Sequence, residues 1–254
     1  MLSALRRSYL ALLTPEQRKQ LRLYQAHHFR GLQHFAFRVF SGSNLKMLAL
    51  FYGTDKWTTH DYIDIYNGLF APLRKQRLNI LEIGVGGYGD PWAGGGSLRM
   101  WRTFFSRSRI FAIDIEDKRA HDERRIKTFQ GSQDDEQFLN DVADKVGRID
   151  LIIDDGSHIC RHVIKSFEVL FPKLASGGLY VVEDVQTSYL EDFGGSSTEL
   201  DRPDTTMNYF RGLIDGVNAR EIKKINRAYA PSEIETMLFS ISFYEKMIVL
   251  RKSP

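Results

Sequence analysis

From Asn79 onward, short apolar runs alternate with longer amphipathic stretches. The runs end in glycine or an acid, as buried strands do, and the stretches between them have helical spacing. The strands predicted in this way are Asn79–Ile83, Ile110–Ile113, Lys127–Gln130, Leu151–Ile153 and Leu179–Val182. Because strands and helices alternate, the pattern predicts an α/β fold with a Rossmann-like, doubly wound and mostly parallel sheet.

Two more β-rich runs stand at the end of the chain, Glu233–Ser242 and Phe243–Arg251. Almost no loop separates them, which favours an antiparallel hairpin. We expect this hairpin at the edge of the sheet, which would then have seven strands.

Residues 1–54 differ from the rest of the chain in charge. They contain eight lysines and arginines but a single acid, Glu16, whereas the whole chain has a net charge of +3. Thr14, Pro15 and Gln17 are typical of a helix start, so we predict a short basic N-terminal helical segment at 1–54 and a second domain at 55–254. A lid or dimerisation arm, with homo-oligomers as one outcome, is the favoured role. The alternative is an interfacial helix that contacts an anionic membrane or glycolipid.

Composition narrows the class of protein. The chain has 254 residues, of which 43% are hydrophobic and 26% charged, as in globular proteins. No apolar run approaches the ~20 residues that span a bilayer. The single cysteine, Cys160, cannot form an intramolecular disulfide. We therefore expect a cytoplasmic protein, with peripheral membrane contact only through residues 1–54.

The first predicted strand ends in an acid and a glycine cluster. Glu82 precedes Gly84, Gly86 and Gly89, and these glycines let a ligand approach the backbone closely. A carboxylate there would repel a diphosphate but could bind an ammonium group. The next helix is predicted to start only at Ser97, so no helix N-terminus lies directly against the turn. A cationic amino-acid ligand is favoured, with Ser97 among its candidate contacts.

Asp114 ends the second strand, where an acid can accept hydrogen bonds from a ribose diol. S-adenosylmethionine carries an amino acid, a sulfonium and a ribose, so Glu82 and Asp114 match its chemistry. Gln133, after the third strand, is a weaker candidate for the adenine end. The alternative there is a plain helix cap by Ser132.

Two later strands end in paired acids, Asp154–Asp155 and Glu183–Asp184. Parallel neighbouring strands bring these four carboxylates to one sheet edge, where a divalent cation would relieve their repulsion. Oxygen ligands favour Mg²⁺ over Zn²⁺. We predict Asp155, Glu183 and Asp184 as the metal ligands and expect Asp154 to face the cofactor.

His158 follows Asp155 by three residues and is the candidate general base, because imidazoles titrate near neutral pH. His162 lies one helical turn later and is less favoured, since its helix should carry it away from the strand end. The alternative for both histidines is a hydrogen-bonded surface group, and for the acids a set of helix caps.

Six stretches of this chain are specific enough to indicate a family. They are Gly53–Trp57, Leu81–Gly87, Gly95–Trp101, Thr128–Gln133, Asp154–His158 and Val181–Thr187. Over about Phe51–Gly195 the chain resembles the magnesium-dependent macrolide-sugar O-methyltransferases of the mycinamicin type. The resemblance implies Asp155, Glu183 and Asp184 as metal ligands and His158 as proton acceptor. Those enzymes also carry a long N-terminal domain that helps to assemble oligomers and to shape the acceptor pocket.

The expected activity is Mg²⁺- and S-adenosylmethionine-dependent O-methylation of a sugar hydroxyl on a glycosylated small molecule, oligosaccharide or glycolipid. Two alternatives stay open: methylation of a catechol-like or other phenolic acceptor, and a catalytically silent S-adenosylmethionine-binding module. Tyr189 and Phe193, in the stretch 184–195, are candidates to stack on the acceptor. Nucleic acid is not an expected partner.

Overall fold

A seven-stranded sheet organises the computed structural model, which describes residues 43–58 and 60–254. Its strands are β1 (Asn79–Ile83), β2 (Arg109–Asp114), β3 (Ile126–Gln130), β4 (Ile149–Asp154), β5 (Leu174–Val182), β6 (Leu238–Tyr244) and β7 (Met247–Lys252). Their order across the sheet is β3-β2-β1-β4-β5-β7-β6. The first five strands are parallel, and β7 and β6 are antiparallel to their neighbours.

Helices cover both faces of the sheet. The α-helices of the described residues are α1 (Leu45–Tyr52), α2 (Asp55–Thr58), α3 (Ile63–Phe70), α4 (Gly96–Phe104), α5 (Glu136–Val146), α6 (Cys160–Leu170), α7 (Thr206–Gly212), α8 (Ala219–Ile225) and α9 (Glu233–Met237). A first apolar layer contains residues of α1, α3 and α4, and a second contains residues of α5, α6 and α7. No helix of these residues is long and apolar enough to cross a bilayer.

The pleat of the central strands decides which layer each side chain meets. Ile80 of β1 lies in the first layer and Leu81 in the second, because successive strand residues face opposite sides. The same alternation places Glu82 on the first-layer side. It also separates Asp154 from Asp155, since Ile153 lies in the first layer and Ile152 in the second.

The strand register brings the predicted acids to one edge. Ile83 pairs with Asp154 of β4, and Asp154 pairs with Val182 of β5. The carboxyl ends of the three strands are therefore level. The residues that follow each strand share one site, as the sequence predicts for a parallel sheet.

The predicted fold is confirmed, with one local difference near the end of the chain. Residues 233–237 form helix α9 instead of a strand, because Ser232 and Glu235 make a reciprocal capping box. Strands β6 and β7 then form the expected hairpin. Of the basic segment, only residues 43–54 are described, and α1 buries Leu45, Leu48 and Ala49 in the first layer. The helix predicted from Thr14 lies outside the described residues, and the domain boundary at 54/55 stays a prediction.

Candidate active site

The turn after β1 is built around backbone contacts that only glycine allows. Gly84 has φ +93°, and a Cβ at this position would lie 2.1 Å from the carbonyl oxygen of Asp155. Asp114 Oδ2 accepts a hydrogen bond from the amide of Val85 at 2.9 Å. Gly86 has φ +76° with open space around it. The turn therefore packs tightly against β2 and β4 and leaves room beside Gly86.

Glu82 is fully buried at the end of β1. Neither carboxylate oxygen makes a hydrogen bond within the described residues, although Lys56 Nζ lies 3.7 Å from Oε1. Burial raises the pKa of Glu82 to about 7, while the charge of Lys56 and the neighbouring side chains of Ser97 and Trp101 act in the opposite direction. A buried carboxylate with unmet hydrogen-bonding capacity can receive a ligand ammonium group.

A second buried lysine holds the loop that follows the turn. The Nζ atom of Lys118 donates to the carbonyl oxygens of Tyr88 at 2.6 Å and Asp90 at 2.8 Å. The side chain of Arg99 donates to the carbonyl of Gly94 at 2.9 Å. The loop between β1 and α4 is thus fixed by cations that bind its carbonyl groups.

Asp154 lies on the second-layer side and is 1% exposed. Its Oδ2 atom accepts hydrogen bonds from Ser166 at 2.7 Å and Tyr180 at 3.3 Å, and Oδ1 accepts one from Gln133 at 3.2 Å. Burial raises its pKa to about 6, against the hydrogen bonds from Ser166 and Gln133. Gln133 also accepts a hydrogen bond from the amide of Ser157, so it joins the loops after β3 and β4. Contact of Asp154 and Gln133 with a cofactor stays a prediction.

Asp155 and Glu183 lie on the opposite side and share Lys56 of α2. Its Nζ atom lies 2.7 Å from Asp155 Oδ2 and 2.6 Å from Glu183 Oε1. Glu183 Oε1 also accepts a hydrogen bond from Tyr66 of α3. Burial raises the pKa of Glu183, and the charge of Asp155 adds to that rise, whereas Lys56 opposes it. Burial alone would lower the pKa of Lys56, but the surrounding carboxylates raise it well above 10.5.

Asp184 adopts a left-handed conformation with φ +53° just beyond β5. Its Oδ1 atom accepts hydrogen bonds from Tyr62 at 2.6 Å and Gln186 at 3.1 Å, and His60 Nδ1 lies 3.1 Å away. Burial raises the pKa of Asp184, but the hydrogen bonds from Tyr62 and Gln186 outweigh it and hold the value below 3.8. The side chain is thus anionic at neutral pH.

His158 closes the candidate site. Its Nε2 atom lies 3.7 Å from Asp184 Oδ2 and 4.0 Å from Asp155 Oδ1. Ligand atoms of Asp155, His158 and Asp184 all lie within 4.8 Å of one another, close enough to hold one metal ion. Glu183, the third predicted metal ligand, is not part of this group and is bonded to Lys56 and Tyr66 instead. His162 instead bonds to Ser157 at 2.9 Å and lies 3.1 Å from Asp134. Within the described residues, His158 thus lies beside the predicted metal ligands Asp155 and Asp184, whereas His162 does not.

Several contacts of this site were not predicted from the sequence. Lys56, Tyr62 and Tyr66 all come from α2 and α3 or the turn between them, and each one contacts a predicted acid. The signal that could have found Lys56 is its place in Gly53–Trp57, a stretch already included in the family resemblance. Nothing in the local sequence links it to acids about a hundred residues later.

The order of the strands, together with the acids at the carboxyl edge of the sheet, is that of an α/β methyltransferase fold. No family model matches the chain. Among curated proteins, it is 44% identical over 206 residues to the 8-demethyl-8-alpha-L-rhamnosyl tetracenomycin-C 2'-O-methyltransferase of Streptomyces olivaceus, covering 81% of this chain and 53% of that protein. It is 41% identical over 194 residues to the mycinamicin VI 2''-O-methyltransferase of Micromonospora griseorubida, covering 76% of this chain and 48% of that protein.

Solved structures agree with these relatives. The MycE methyltransferase of the mycinamycin biosynthetic pathway, in complex with Mg and SAH, matches with a TM-score of 0.81 and 37% identity over 94% of this chain and 61% of that chain. Its complex with Mg, SAH and mycinamycin VI matches with a TM-score of 0.76 and 38% identity, over 83% of this chain and 54% of that one. The predicted resemblance to the macrolide-sugar O-methyltransferases is confirmed. The chain spans about half the length of the curated relatives it matches.

Proposed function

We propose that this protein is an S-adenosylmethionine- and Mg²⁺-dependent O-methyltransferase that methylates a sugar hydroxyl of a glycosylated natural product. The observation that carries the proposal is the convergence of Asp155, His158 and Asp184 within 4.8 Å. These residues lie at the sheet edge beside the glycine turn of β1. A base, a candidate metal site and a donor turn therefore share one edge, as metal-assisted methyl transfer to a hydroxyl requires.

The donor side of the proposal rests on Glu82 and Asp114. Among the described residues, neither oxygen of the buried Glu82 carboxylate accepts a hydrogen bond, which suits the ammonium group of the methionine part. Asp114, at the end of β2, already anchors the turn through Val85 and suits the ribose diol. The space beside Gly86 would admit the donor between them.

The charges and donor atoms of the edge suit Mg²⁺. Three carboxylates, from Glu82, Asp155 and Glu183, surround the buried ammonium group of Lys56, and the carboxylate of Asp184 lies beside His158. Asp184 is held in its anionic form. Hard oxygen ligands of this kind bind Mg²⁺. Asp155, Glu183 and Asp184 would hold the ion, whose positive charge would favour the deprotonated form of the acceptor hydroxyl.

The protein's own residues accept the proton of the acceptor hydroxyl and orient the base that takes it. Nε2 of His158 accepts the hydroxyl proton, and the nearby carboxylates of Asp155 and Asp184 stabilise the resulting imidazolium. The oxygen takes the methyl group from the donor sulfur, and S-adenosylhomocysteine leaves. The hydrogen bond from Thr187 to the carbonyl of His158, at 3.1 Å, fixes the base relative to the following loop. That fixed geometry contributes to the rate by orienting the base.

The loop after β5 supports a glycosylated acceptor. The ring of Phe193 lies 6.5 Å from that of His158, and Tyr189 is 39% exposed on the same loop. Aromatic faces beside a base can stack on the apolar face of a sugar ring. Oligosaccharides and glycolipids also present sugar rings, so the acceptor panel must distinguish them from glycosylated natural products.

The proposal is tested with labelled S-adenosylmethionine, Mg²⁺ and a panel of glycosylated macrolides and polyketides, each paired with its aglycone. Oligosaccharides, glycolipids and catechols form the other arms. We expect transfer to glycosylated compounds and none to aglycones, with loss of transfer in EDTA. Transfer to catechols alone would indicate the phenolic alternative. Donor binding without transfer to any acceptor would contradict the proposal and favour the silent module.

A further inference from the structure

Lys56 is a fully buried cation between two parts of the candidate site. Its side chain is 1% exposed, and its ammonium group contacts Asp155 and Glu183 at hydrogen-bonding distance. Glu82 lies 3.7 Å away on the third side. An ammonium group is costly to remove from water unless it is paired, so these carboxylates compensate for its burial.

The three acids around Lys56 belong to two different functions. Asp155 and Glu183 are candidate metal ligands, whereas Glu82 belongs to the donor turn. They reach Lys56 because the pleat directs all three to the first-layer side of the sheet, where α2 packs. Without an intervening cation, their negative charges would repel one another in a poorly solvated space.

We propose that Lys56 is a positioning residue, a resident cation that holds Glu82, Asp155 and Glu183 together before any divalent ion or donor binds. The inference rests on the proposed function, since it takes Asp155 and Glu183 as the place where Mg²⁺ binds. Its consequence is that Lys56 and Mg²⁺ neutralise the same carboxylates. A protein without the lysine charge should therefore depend on Mg²⁺ for stability more than the wild-type protein does.

The test compares thermal unfolding of the wild-type protein and Lys56→Met, each in EDTA and in saturating Mg²⁺ without donor. We expect Lys56→Met to unfold at a lower temperature in EDTA and to gain more from Mg²⁺ than the wild type. Each tenfold difference in metal affinity should add about 3–6 °C to that gain. Lys118→Met is the matched control, because it removes another buried lysine whose partners are carbonyls. It should lose stability but keep the wild-type gain.

An equal or smaller gain for Lys56→Met would overturn the inference, because it would show that the lysine supports metal binding or acts only in packing. Lys56→Met with Glu82→Gln, which also removes one carboxylate, serves where the single variant does not fold in EDTA. Folding of either variant only with Mg²⁺ supports the inference. Failure of both variants to fold even with Mg²⁺ would overturn it.

Calorimetric titration of the wild type with Mg²⁺ separates this inference from the proposed function. Binding by neither the wild type nor Lys56→Met would contradict the proposed metal site itself. Binding by Lys56→Met alone would support the inference, because it would show that the lysine occupies the place of the ion, but it would contradict Mg²⁺ binding by the wild type. Binding by the wild type together with equal thermal gains would contradict the role of Lys56 alone.

Discussion

The buried carboxylate of Asp154 predicts a measurable pH dependence of stability. Its pKa is raised from 3.8 to about 6 in the folded protein, chiefly by burial. The folded state therefore holds the proton more tightly than the unfolded state between about pH 4 and pH 6, so this group's contribution to stability falls as pH rises through that window. This rise in the pKa of Asp154 corresponds to about 3 kcal/mol of unfolding free energy, which is lost above pH 6.

Asp154→Asn removes this titration while keeping the shape of the side chain. Urea unfolding of both proteins in EDTA, at several values from pH 4 to pH 7.5, gives the free energy of unfolding at each pH. We expect the wild type to lose about 2.5 kcal/mol relative to the variant between the two ends of the range. Parallel curves for the two proteins would contradict this expectation, since they would show that Asp154 titrates no differently in the folded state.

Three further predictions concern the loops around the site. Lys118→Met frees the carbonyls of the β1–α4 loop, so the dissociation constant for S-adenosylhomocysteine, measured by calorimetry, should rise about tenfold; an unchanged value would show that the loop is fixed without the lysine. Gly84→Ala places a Cβ 2.1 Å from the Asp155 carbonyl and should lower the free energy of unfolding, measured with urea, by about 3 kcal/mol or more. Gly86→Ala, where space is open, should lower it less, and equal losses in the two variants would contradict this. Asp135→Ala removes the N-cap of α5 and should cost about 1 kcal/mol in the same assay, whereas Ser132→Ala, which removes no cap, should not; the reverse order would contradict the structure.

Much of the fold could be predicted because the central strands are short, fully buried runs. β1 was predicted at its observed bounds, and the other parallel strands at their cores. The residues at strand ends were predicted for a related reason, since parallel strands deliver their carboxyl ends to one edge. The exception, Glu233–Met237, shows two local signals in conflict. The Ser232–Glu235 capping box favoured a helix, but the apolar content of the run suggested a strand.

The contacts around the acids could not be predicted in the same way. Lys56 lies 99 residues before Asp155 and 127 before Glu183, and no local pattern indicates such long-range pairing. Strand alternation did contain one usable signal. Glu82, Asp155 and Glu183 fall on one side of the sheet and Asp154 on the other, which follows from a period of two along β1, β4 and β5.

Binding of a divalent ion beside His158, by the acids after β4 and β5, can be observed in a crystal structure. The crystals would contain the protein with Mn²⁺ and S-adenosylhomocysteine, and anomalous data would locate the ion. We expect an anomalous peak between the carboxylates of Asp155 and Asp184, next to the imidazole of His158. Full occupancy of the donor site with no peak there, and with the acids joined only by Lys56, would contradict it.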